Sequence, residues 1–139
     1  MANTAGIANA AKQAALGAIV DGKSLKAALY YTASTVNNGT AAYTATGEVS
    51  GSGYTAGGVA VTNANTAQLS GNTTYWTPSA AISFGTVTIA NFDAVLLYDT
   101  GATNRSIGVF TFGNQSVTAA PFSLTMPTND GSTGLVRIG

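Results

Sequence analysis

Phe92-Asp93-Ala94-Val95-Leu96-Leu97-Tyr98-Asp99 (FDAVLLYD) is the most apolar run of the chain. It has the length of a strand and is bounded by turn-forming residues, which predicts a central β-strand. Val87-Thr88-Ile89 precedes it. Residues 106–112 (SIGVFTF) follow it across a turn at residues 101–104. Working outward, Leu25, Ala27, Leu29 and Tyr31 alternate with Lys26, Ala28 and Tyr30. Residues 58–62 (GVAVT), 73–77 (TTYWT) and 135–138 (LVRI) are further short runs, and Phe122, Leu124 and Met126 alternate between two prolines. That makes roughly eight strands at spacings of about 8–12 residues, the pattern of an antiparallel sandwich or barrel.

The only helical candidate is residues 4–20, rich in Ala, the best helix former. Thr4 is the expected N-cap, and Asp21-Gly22 the stop. Ile7, Ala11, Ala14 and Ala18 form a narrow apolar stripe. The expected organisation is an N-terminal helical arm over residues 1–22 and a single β domain over residues 23–139. Within that domain, residues 37–58 read as a long Gly/Tyr-rich connection. A connection of that length in a compact domain is commonly functional.

The chain has 139 residues, with 45% hydrophobic and 7% charged. An average soluble domain is about a quarter charged. Five basic and five acidic residues cancel. No field is therefore present to attract nucleic acid or an anionic membrane, and little repulsion keeps neighbouring copies apart. With neither His nor Cys, there is no Ser-His-Asp triad, Cys-His pair, disulfide or Cys/His metal site. The apolar stretch at residues 5–20 is too short to span a bilayer and carries Lys12 and Gln13. It also lacks the basic segment that opens a secretory signal.

Gly51-Ser52-Gly53-Tyr54-Thr55-Ala56 matches the dinucleotide fingerprint in spacing alone. A β run rather than a helix follows it, and the next acid is Asp93. The acids Asp93 and Asp99 lie about 20 Å apart along one extended strand, too far for a facing pair. No cofactor, metal or catalytic residue is expected. The candidates for contact with a partner are Tyr43, Glu48, Tyr54, Tyr75 and Trp76. Aromatic residues are common interface anchors and also form sugar-stacking platforms. Tyr75 and Trp76 point to opposite faces of a strand, so one is expected in the core and the other at an interface or ligand.

Residues 25–62, LKAALYYTASTVNNGTAAYTATGEVSGSGYTAGGVAVT, carry a resemblance to a known family. The Lys-x-Ala-Leu-Tyr strand, the YTATGEVSGSGYTAGG segment and the LVRIG ending are similar to small structural proteins of tailed double-stranded DNA bacteriophages. In size and expected fold the chain resembles the capsid cement (decoration) proteins. The resemblance implies a jelly-roll-like domain on the outer surface of an icosahedral head. It further implies a non-enzymatic protein that clamps neighbouring major-capsid-protein capsomers, as a homodimer or alternatively a trimer. A tail or fibre component and a carbohydrate-binding module on the particle are the other roles that fit.

Overall fold

The computed structural model describes residues 3–139; residues 1 and 2 of the expected arm lie outside them. The described chain is mostly β with one helix, α1 (Asn9–Val20). Its strands are β1 (Leu25–Tyr31), β2 (Val59–Ala60), β3 (Gln68–Ser70), β4 (Thr73–Trp76), β5 (Ile82–Asp99), β6 (Arg105–Leu124) and β7 (Val136–Ile138). One sheet has the order β2-β1-β5-β6 and the other β3-β4-β7. All pairings are antiparallel, and the result is an open sandwich rather than a closed barrel.

FDAVLLYD forms the second half of β5, between β1 and β6. Its continuous apolarity has a plain cause: both faces are covered. Phe92, Val95 and Leu97 enter the main core with Leu29, Trp76 and Val87. Ala94, Leu96 and Tyr98 enter a second cluster with Ala28 and Tyr30 on the opposite face.

Among the described residues the strands number seven rather than about eight: β5 and β6 each join two runs that read as separate, and β3 falls where no run is read. The joints are β-bulges. In β6 the residues packed on the main core are Ile107, Phe110, Phe112, Val117, Phe122 and Leu124. Strict alternation allows only even steps along one face. Here the steps from 107 to 110, 112 to 117 and 117 to 122 are odd. At each, the register against β5 slips, with extra residues at Ile107, around Gly113, and at Thr118-Ala119. Gly113 (φ 82°) and Ala119 (φ 47°) take the left-handed backbone these bulges need. The Ala119 amide is held by the Thr88 hydroxyl at 2.9 Å. β5 is bulged likewise at Gly85 and Asn91.

The helix starts at Asn9, not near Thr4; its N-cap is Ala8, with no side-chain cap bond. Tertiary contacts set that start. The Asn9 side-chain amide donates to the Gly71 carbonyl (3.3 Å) and Asn72 Oδ1 (3.1 Å), and Lys12 Nζ donates to the Asn72 carbonyl. The buried stripe is Lys12, Leu16 and Val20, while Ala11, Ala14 and Ala18 are exposed, and so is Ile7. Leu and Val side chains remove more apolar area from water than Ala, which decides the facing. Leu16 and Val20 belong to the main core, so the helix packs on its own sandwich.

Candidate functional site

Residues 37–58 contain no strand, yet they are pinned along their length. The Tyr43 amide donates to the Asn104 carbonyl (2.9 Å), and the Tyr31 amide to that of Gly47 (3.0 Å). The Val49 amide donates to Leu29 (3.0 Å), and the Thr88 amide to Ser52 (2.9 Å). Its first part covers the second face of the four-stranded sheet, where Tyr43 packs against the buried Ala28–Tyr98 cluster, while Val49 and Tyr54 join the main core. Its ring stacks on Tyr98 with centroids 4.9 Å apart. At Gly58 (φ 79°) the chain lies so close to β1 that a Cβ would overlap the Ala27 carbonyl oxygen. This glycine-rich stretch therefore makes a close approach to its own sheet.

Glu48 organises the packing. One carboxylate oxygen accepts from the Tyr43 hydroxyl at 2.5 Å. The other accepts from the Tyr54 hydroxyl and the Gly57 amide, both at 2.7 Å. The Tyr54 oxygen in turn accepts from the Leu29 amide at 3.0 Å, filling a gap on the β1 edge between residues 47–49 and β2. Two further phenols close the network. Tyr98 donates to the Gly57 carbonyl at 2.6 Å and Tyr30 to the Thr44 carbonyl at 2.7 Å.

Burial raises the Tyr30 phenol from its ordinary 10.0 to about 12, and the neighbouring Glu48 charge pushes the same way. Burial also raises Tyr43, Tyr54 and Tyr98, assisted by Glu48. These phenols are donors held protonated around one carboxylate. The arrangement fastens a segment to a sheet. Among the described residues no group of three or more His, Cys, Asp or Glu side chains could share a metal ion.

Of the residues singled out from sequence, Tyr43, Glu48 and Tyr54 thus meet in one network. Tyr75 and Trp76 stand apart on β4. Trp76 is fully buried and donates from Nε1 to Asn63 Oδ1 at 3.1 Å, so it offers no face to a partner. Tyr75 is half-buried, between Gln68 of β3 and Arg137 of β7. The sequence reading does not single out Tyr98; its signal is its place in the most apolar run, residues 92–99.

It also passed over β6. This strand is the edge of its sheet, and none of its residues is fully buried. Residues 41–43 cover its start: Ala42 bridges Arg105, and the Ser106 amide donates to the Ala41 carbonyl at 3.0 Å. Beyond Ser106 no described backbone group pairs with the outer edge. Residues 106–124 carry no charge. Beside this edge lies an apolar groove of about 140 Å³, lined by Val95, Leu97, Phe110, Phe112, Leu124 and Met126 among others. Comparison of the chain with family models, curated proteins and solved structures found no match.

Proposed function

We propose that this chain is a non-enzymatic virion structural protein. Its role is that of a capsid cement (decoration) protein on the outer surface of an icosahedral phage head, bound to the major capsid protein and to a second copy of itself. The observation that carries this reading is the β6 edge. Long uncharged edges invite pairing, and proteins that live alone blunt them with charge or cover. This chain leaves the edge bare beyond Ser106 and sets half-buried apolar side chains beside it. Such a surface suits a subunit that spends its life assembled. The likeness of residues 25–62 to phage structural proteins supplies the setting.

Quantitative mass spectrometry and a density map of particles made from the genome encoding this chain test the reading. The expected result is outer-surface density and a copy number close to that of the major capsid protein. Few copies confined to the tail would make it a tail component, and absence from the particle would end the virion reading. With so few charges, attachment should change little between low and moderate salt.

A further inference from the structure

We infer that residues 108–112 of β6 pair antiparallel with the same residues of a second copy about a two-fold axis at Phe110, joining two four-stranded sheets into one. The inference rests on the structural-subunit reading for its setting and names the surface that reading leaves open.

Three observations converge on this window. First, cover from residues 41–43 ends at Ser106, and a cleft of about 350 Å³ separates residues 37–41 from the edge at residues 106–109. The edge is open where the window begins. Second, bulges bound the window on both sides, at Ile107 and around Gly113. A bulge ends regular pairing. Only an axis at Phe110 lets both copies pair over the whole window, with Val109 opposite Thr111 and Gly108 opposite Phe112. Third, the chemistry is self-complementary. Gly-Val-Phe-Thr-Phe contains no charge, so an antiparallel copy meets it without like-charge repulsion or burial of an ion. A charged partner strand would have to desolvate its charges against Phe and Val.

The groove extends the contact. Phe110 and Phe112 line it while remaining half-buried. A two-fold axis perpendicular to the sheet puts both grooves on the same side of the joined sheet, where the Phe110 rings of the two copies meet. A five-residue ladder with this apolar patch is smaller than the roughly 1,000 Å² of a standing interface. The dimer is therefore weak when free and strengthened where copies are held side by side.

The chain has no cysteine, so a register-specific disulfide trap is clean. Val109→Cys and Thr111→Cys are made as separate proteins. Directly opposed residues in an antiparallel pair have Cα atoms about 4.5–5.5 Å apart, within disulfide reach. On mild oxidation at high concentration the mixture should form a covalent dimer, while each variant alone stays monomeric. No cross-link in the mixture, or equal cross-linking of either variant alone, overturns the inference. Thr111 is exposed, so Thr111→Lys should fold normally by circular dichroism. It should also weaken self-association in sedimentation equilibrium on the order of tenfold or more. Unchanged association refutes the window. Particles bearing isolated copies would sink this inference and the self-contact of the proposed function, and leave attachment to the major capsid protein intact. Dimers of a protein missing from particles would do the reverse.

Discussion

Tyr54→Phe tests whether the Glu48 network fastens residues 37–58 to the sheet or is incidental to it. The substitution keeps the ring, which stacks against Phe84 with centroids 6.4 Å apart, and removes one oxygen. That oxygen makes two bonds: it donates to Glu48 at 2.7 Å and accepts from the Leu29 amide at 3.0 Å. A hydrogen bond to a charged group contributes about 1.5–3 kcal/mol, and a buried amide left unpaired costs about 1–3 kcal/mol. Leu29 is fully buried, whereas Glu48 is half-buried and keeps its bonds from Tyr43 and the Gly57 amide. The expected loss is therefore about 2–4 kcal/mol. Tyr43→Phe removes only the bond to Glu48 and should cost about half as much. Denaturant unfolding of the free protein reads both, and a double-mutant cycle with Glu48→Gln isolates the shared term. A Tyr54→Phe loss below about 0.5 kcal/mol, with the fold intact, would refute the reasoning. In that case Tyr54 would be free to serve an interface instead.

Two further outcomes follow from the same geometry. Gly58→Ala combines a left-handed backbone, about 1–2 kcal/mol for an L residue, with a Cβ driven into the Ala27 carbonyl, about 1–3 kcal/mol more. Gly71→Ala has similar backbone (φ 58°) but open space, so it should cost only the first part; equal losses in thermal unfolding would show that the close approach to β1 is not needed. As for pH, the folded state holds the phenols of Tyr30, Tyr43, Tyr54 and Tyr98 protonated, Tyr30 up to about 12, whereas unfolded tyrosines ionise near their ordinary 10.0. Above about pH 10 the unfolded chain therefore binds fewer protons, so stability is full below that point and falls as pH rises toward about 12. A urea midpoint unchanged from about pH 9 to about pH 11.5 would contradict this.

What the sequence discloses and what it conceals divide along a physical line. FDAVLLYD read as a central strand because burial on two faces leaves a mark in composition alone. The lengths of β5 and β6 did not read, because a bulge breaks period-two alternation just as a strand end does. Asn91, Gly113 and Ala119 sit where the alternation slips, and only the continuing ladder shows that the strand goes on. The helix stripe was misread because Ala spacing looks like a face when larger residues decide it; Leu16 and Val20 outweigh Ala11, Ala14 and Ala18. Tyr43, Glu48 and Tyr54 were singled out, but for contact with a partner. Their partners within the chain, Leu29 and Tyr98, lie far off in sequence, and no local pattern encodes that meeting.

The bulges that hide β6 also bear on how a subunit of the proposed kind would stay separate before assembly. An edge can be protected by charges, which oppose every partner strand alike, or by bulges, which interrupt the ladder and admit only short stretches of it. This chain has no charge in residues 106–124 and interrupts the edge at Ile107, Gly113 and Ala119, with Pro121 removing one more donor. No long regular ladder is left for indiscriminate pairing, while short uncharged windows survive. A window of that size binds weakly between free molecules. On a lattice that already sets two copies side by side, the second contact becomes intramolecular and its effective concentration rises to about millimolar. An edge built this way favours pairing where the geometry is supplied from outside and disfavours it in dilute solution. A set of charges in the same places would have prevented both.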